Sequence, residues 1–183
     1  VALCPGSGQL PEDGSTGWRA GFMPPIYQGT LVDTGEMRDV EKLVRNVRNP
    51  FLSGANHRRQ IDLLQKINER HSAARGEDVA LESRIQSYEM AYRMQTSVPE
   101  LTDTSKEPDH IFKLYGEDSR KPGTFASNCL LARRLCERGV RFVQLFHRGW
   151  DQHATLPKKI AEQCASTDQA SAALVLDLAQ RGL

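Results

Sequence analysis

The sequence predicts an α/β fold, rich in helix and organised around one central strand over residues 140–146. Two patterns carry this expectation. Residues 124–138 read as an amphipathic helix that stops at Gly139 and runs at once into the apolar stretch Val140-Arg-Phe-Val-Gln-Leu-Phe146. A further helix follows and ends the same way, Gln180-Arg181-Gly182, so a helix–strand–loop–helix unit spans 124–183, as in domains whose connections return to a parallel strand.

The earlier elements are read in order. Residues 1–36 concentrate glycine and proline, as in Cys4-Pro-Gly-Ser-Gly and Phe22-Met-Pro-Pro-Ile-Tyr, and predict irregular chain with turns. Val1-Ala-Leu is compatible with a strand and opens abruptly inside an apolar run, which suggests that sequence precedes it. A short helix is expected over Met37–Val47, stopped at Asn49-Pro50, because a residue before proline avoids the α region. Residues 1–57 thus form an irregular segment with one short helix.

Residues 58–95 predict a helical hairpin. Ile61, Leu64 and Ile67 repeat at helical spacing in the first arm, and Leu81, Ile85, Tyr88 and Tyr92 in the second. Val98-Pro99-Glu100-Leu101 reads as extended chain or a turn, and Asp109–Tyr115 as a short helix. In the helix at 124–138, Leu131 and Leu135 mark the buried stripe. Beyond the strand, one helix should begin near Pro157, and a last one at Ser166 with Gln169 completing a capping box. With one strand visible, the chain reads as part of a larger sheet-centred domain with flanking parts missing at both ends.

Composition narrows the function classes. Among 183 residues, 24 basic and 23 acidic side chains leave a net charge of +1, against nucleic acid or an anionic membrane as partner. No stretch approaches the ~20 apolar residues needed to span a bilayer. Cys4, Cys129, Cys136 and Cys164 form no CxxC pair, which excludes a zinc knuckle and favours buried reduced thiols over disulfides. G-x-S-x-G, P-loop, G-x-G-x-x-G and H-E-x-x-H motifs are all absent from the sequence.

In open α/β sheets ligands bind beyond the carboxyl ends of strands. Phe146-His-Arg-Gly-Trp-Asp-Gln-His153 occupies that position. Asp151 and His153 offer the oxygen and nitrogen donors used by a divalent zinc or manganese site, and Gly149 permits a sharp turn or a close approach. The same spacing suits a hydrogen-bonded loop corner, and Trp150 suits a plug for the core, so both readings stay open on spacing alone. His147 and Arg148 are weaker candidates at the strand end. His57 is expected at the exposed start of a helix, and His71 and His110 on solvent-facing turns.

The run from Arg133 to His153 closely resembles a bacterial family known as domain of unknown function 1501, whose members are labelled sulfatase-like and grouped with the alkaline phosphatase superfamily. Phe22–Thr30, Ser83–Gln95 and Asp168–Leu174 match as well, so the similarity covers essentially the whole chain. The resemblance implies an alkaline-phosphatase-like three-layer α/β fold and a divalent-metal centre (zinc, manganese or calcium) at the strand ends. Asp151 and His153, on the family's Gly-Trp-Asp-x-His motif, are then the metal ligands, with His147 a weaker one, and Arg148 is a candidate contact to an anionic ester oxygen. The implied activity is metal-dependent hydrolysis of sulfate or phosphate esters. Family members continue into a Gly-Glu-Phe-Gly-Arg strand and an Arg-Asp-His-His segment, and they also have an N-terminal portion, where enzymes of the superfamily keep a nucleophile and further ligands. The chain would therefore hold part of a site and be inactive alone. Export by a twin-arginine signal, placing the parent protein outside the cytoplasm, is implied in the same way. The competing reading is a non-catalytic carbohydrate- or protein-binding module, with Trp150 as a stacking platform or the hairpin 58–95 as an interface.

Overall fold

A computed structural model of the chain describes residues 1–4, 23, 29–34, 51–75, 85, 89, 92, 97, 98 and 100–183. It is a helix-rich α/β structure with a small parallel sheet of three strands: β1 (Ala2–Cys4), β2 (Leu31–Asp33) and β3 (Gln144–Leu145), in the order β2-β1-β3. Ala2 pairs with Leu31 on one side and with Gln144 on the other. The helices are α1 (Gly54–Arg75), α2 (Asp109–Tyr115), α3 (Phe125–Glu137) and α4 (Leu156–Arg181), with a 3-10 turn at Glu117–Arg120.

The sheet corrects the expected central strand over 140–146. Among the described residues the central strand is β1, and pairing at 140–146 is confined to Gln144 and Leu145. The Gln144 N–H donates to the Val1 carbonyl at 2.8 Å and the Phe146 N–H to the Leu3 carbonyl at 3.1 Å. Phe142, read as part of a buried apolar run, is 81% exposed on the outer edge. β2 corrects a second expectation: Leu31-Val-Asp33 lies in the stretch read as irregular, and three residues are too few for alternation to register.

α3 organises the core because both of its faces are apolar. Leu131, Ala132 and Leu135 pack with Leu3, Val32, Val98 and Leu101 on the sheet side. Ala126, Cys129 and Leu130 pack with Ile111, Phe112 and Tyr115 of α2 and with Ala170 and Ala173 of α4. The alanines at this second seam let α3 and α4 approach closely. Thr124 caps α3, its hydroxyl accepting the Ser127 N–H at 3.1 Å. At the other end the Gly139 N–H donates to the Cys136 carbonyl and the Val140 N–H to that of Leu135, a Schellman closure at a left-handed glycine. The predicted stop at Gly139 and the turn into the strand are thus the same event.

Residues 156–181 form one helix, not two. Pro157 sits in its first turn, where its missing N–H costs nothing. Ser166 does not start a helix; its hydroxyl donates to the Gln163 carbonyl at 2.8 Å. Gln169 makes no capping box and instead donates its amide to the carbonyls of Lys113 and Leu114, closing the C-terminal end of α2. Residues 97, 98 and 100–102 are helical, correcting the expected extended chain or turn; Arg134 donates its guanidinium to the carbonyls of Glu100, Leu101 and Asp103 at that segment's end.

Of the predicted hairpin, α1 is present and starts at Ser53, whose hydroxyl accepts the Asn56 N–H. Ile61 is buried, whereas Leu64 and Ile67 are exposed. Ile85, Glu89 and Tyr92 are helical; Arg58 pairs with Glu89 at 3.2 Å and lies over the Tyr92 ring. Leu81 and Tyr88, and the helix expected over Met37–Val47, lie outside the described residues. His57 is half-buried with its ring edge-on to Tyr92, and His71 and His110 are exposed as expected, though on helices. Cys129, Cys136 and Cys164 are free thiols.

Candidate functional site

The parallel pairing of β3 with β1 sets the direction of the loop that follows. Residues 146–155 leave the carboxyl end of β3 and reach α4, which puts the His147–His153 run where open α/β sheets place their ligands. The loop closes on Thr155, a β-branched residue at φ +52°, a conformation such residues rarely adopt.

The loop divides into a fastened root and an open tip. At the root, the His147 ring is half-buried, edge-on to Phe125 at 5.2 Å and to Trp150 at 6.0 Å. Its Nε2–H donates to Gln163 Oε1 at 2.6 Å, and Ser166 Oγ lies 3.3 Å from the same nitrogen. Gly149 has φ +97°, and a Cβ there would stand 2.2 Å from Gln163 Nε2, so no side chain fits without displacing that amide. The Gln152 amide donates to the Gly149 carbonyl.

At the tip, Asp151 and His153 are 88% and 85% exposed, and Asp151 Oδ2 lies 3.0 Å from His153 Nε2. Two donors on one ion, each at about 2.1 Å and at angles of about 90–109°, sit about 3.0–3.4 Å apart. The pair therefore fits a shared divalent ion as two members of its donor set. It fits equally the hydrogen-bonded loop corner foreseen for this spacing. Among the described residues, no group of three His, Cys, Asp or Glu side chains is assembled for a metal. His147, with Nε2 turned into α4, is not brought into a cluster with the pair.

Beside the root opens a cleft of about 440 Å³, bounded by Thr124 and Phe125 at the start of α3, by His147 and Arg148, and by Gln163 and Ser166 of α4. Two acidic residues reach it as well, each beside a lysine: Asp118 pairs with Lys121 at 2.7 Å and Glu162 with Lys158 at 3.8 Å. Arg148 thus lies at a cleft, not only at a strand end. Trp150 is half-open to solvent and does not plug the core.

Gln163 and Phe125 carry no signal in the sequence, and Thr124 and Ser166 read there only as helix starts, not as site residues. Gln163 and Ser166 share a helix face by their spacing of three, but only the folding of the loop against α4 gives that face a role. Gly149 carries the one readable sign of this contact, since a glycine beyond a strand marks a close approach.

Among the described residues no helix is long and apolar enough to cross a membrane. No curated protein and no solved structure matches the chain. The family model described as protein of unknown function (DUF1501) matches residues 1–183, from β1 through the His147–His153 loop to the end of α4, and the chain belongs to that family.

Proposed function

We propose that the chain is part of a metal-dependent hydrolase of sulfate or phosphate esters, within an alkaline-phosphatase-like three-layer fold. The observation that carries this reading is the Asp151–His153 pair, whose donor atoms stand 3.0 Å apart on an open loop at the carboxyl end of a parallel strand. Asp151 and His153 would hold the ion through one oxygen and one nitrogen. A bound divalent ion supplies Lewis acidity, polarising an ester oxygen and lowering the pKa of a water. Arg148, lining the cleft at the root of the same loop, offers a cation to the remaining negative charge of the ester. Hydrolysis then forms a bond from the water oxygen to sulfur or phosphorus, breaks the bond to the alcohol oxygen and delivers the water proton to that leaving group.

Metal analysis of the full-length protein tests the reading. Asp151→Ala and His153→Ala are each expected to lower bound divalent metal and hydrolysis of aryl sulfate or phosphate esters together. Unchanged metal content and turnover in both variants overturn it. The half-open Trp150 indole favours a second reading, a carbohydrate-binding module with the ring as stacking platform. Glycan binding that survives chelation and is lost in Trp150→Ala selects that alternative.

A further inference from the structure

We infer that Gln163 is the positioning residue of the His147–His153 loop: from α4 its amide oxygen holds the His147 ring while its amide nitrogen fills the space over Gly149, so α4 sets where Asp151 and His153 stand. The ligand half of this inference rests on the metal reading above; the clamp itself rests on contacts alone.

The hydrogen-bond directions fit together in one way. Ser166 Oγ donates its proton to the Gln163 carbonyl at 2.8 Å, so toward His147 it presents only lone pairs. Gln163 Oε1 can only accept. Both oxygens lie on His147 Nε2, at 3.3 and 2.6 Å, so that nitrogen carries a proton. The imidazole is held with its Nε2–H toward α4 and, against Phe125 and Trp150, in one orientation.

Gly149 supplies the second attachment. With Gln163 Nε2 in the place of its missing Cβ, the backbone of the loop lies directly on the α4 side chain. Only Trp150 separates this contact from Asp151. The exposed tip therefore hangs from a root that the Gln163 side chain touches at both 147 and 149. A group that orients a ligand without touching the ion acts through preorganisation, and its loss typically weakens metal binding by about 10–100-fold.

The experiment titrates Mn²⁺ into metal-stripped full-length protein, as wild type, Gln163→Ala, Gln163→Glu and Asp151→Ala, and records the ¹⁵N resonances of His147 in the stripped proteins. Gln163→Ala is expected to raise the Mn²⁺ Kd by about 10–100-fold and to abolish the fixed Nε2–H. Gln163→Glu, whose carboxylate accepts the same proton, should restore both. The inference is overturned if Gln163→Ala binds within about twofold of wild type, or if Gln163→Glu recovers no more than Gln163→Ala does. Should Asp151→Ala leave Mn²⁺ affinity unchanged, the metal reading and the ligand half fall with it. The His147 tautomer in stripped wild type and Gln163→Ala still decides the clamp: a tautomer unaltered by the substitution overturns it.

Discussion

Arg133 and Glu107 form an ion pair at 2.6 Å with side chains only 3% and 7% exposed. Around it stand Arg134, also on Glu107; Glu137, on Arg133 at 2.7 Å; and Asp177, which accepts from Arg181 at 2.6 Å and from the Tyr115 hydroxyl at 3.1 Å. Three guanidinium groups and three carboxylates thus join the 100–107 segment, α2, α3 and α4. Charges removed from water are tolerated only when paired, and each of these has an opposite charge beside it; among the described residues the Arg133 Nε makes no hydrogen bond and has only the Asp177 carboxylate at 3.4 Å. The cluster sits toward the carboxyl end of α3, whereas the cleft lies at its amino end, so its role is to fix the scaffold.

Acid should loosen this cluster first. Burial pushes the Glu107 carboxyl up, but hydrogen bonds and charge from Arg133 and Arg134 outweigh it and hold the group below the ordinary glutamate range. A carboxyl depressed in the folded state contributes stability above its unfolded pKa, about 4.3, and that contribution is lost as pH falls toward the folded value. Glu107→Gln is expected to cost about 3–5 kcal/mol at pH 7, because a buried pair is broken. It should also flatten the loss of stability below about pH 4.3. Denaturant melts of both proteins at neutral and acid pH check this; parallel pH profiles would refute it.

Cys129 predicts the opposite limb. Burial pushes its thiol up to about 12. An unfolded thiol ionises near 8.5 while the folded one stays neutral, so native stability falls as pH rises from about 8.5. Comparing melts of wild type and Cys129→Ala across alkaline pH isolates this slope, since Tyr115 is common to both. The same burial should protect Cys129 from alkylation in the folded protein, while the half-buried Cys136 and Cys164 react sooner.

Asn128 is fully buried, and among the described residues neither atom of its amide has a hydrogen-bond partner. It shares a face of α3 with Leu131, Ala132 and Leu135, which pack on the sheet. An unsatisfied buried polar group costs about 1–3 kcal/mol. Asn128→Leu keeps the branched shape and removes the polar atoms, so it should raise stability by about 1–2 kcal/mol, read as a higher denaturation midpoint. A lower midpoint would show that this amide is satisfied in solution.

What the sequence could disclose follows from range. α2 and α3 were legible because their signals are local: Thr124 before an apolar-periodic run, Gly139 after it, three- and four-residue spacings between. The position of the His147–His153 loop was legible for the same reason, since a loop beyond a strand follows from connectivity. β2 was not, because it becomes a strand only by pairing with β1. Ser166 and Gln169 misled because their polar groups serve the loop and α2 instead of their own helix. Arg133, Glu137, Asp177 and Arg181 left a trace, two opposite-charge pairs at spacing four, but that pattern is the same on a solvated face. Gln163 was silent, because its meaning depends on which backbone lies against it.

That dependence makes Gly149 and Gln163 a coupled pair. Gly149→Ala alone forces the Gln163 amide off His147, since a Cβ would stand 2.2 Å from its nitrogen, and places alanine at φ +97°. In a Gln163→Ala background the steric part disappears and only the backbone cost, about 1–2 kcal/mol, remains. The two substitutions should therefore be non-additive: Gly149→Ala destabilises the wild type more than it destabilises Gln163→Ala, with a coupling of about 0.5–3 kcal/mol. A double-mutant cycle followed by thermal melts measures it, and Trp150, the neighbour of Gly149, reports the loop by its fluorescence once Trp18 is replaced. Strict additivity would mean that the loop and α4 stand apart in solution.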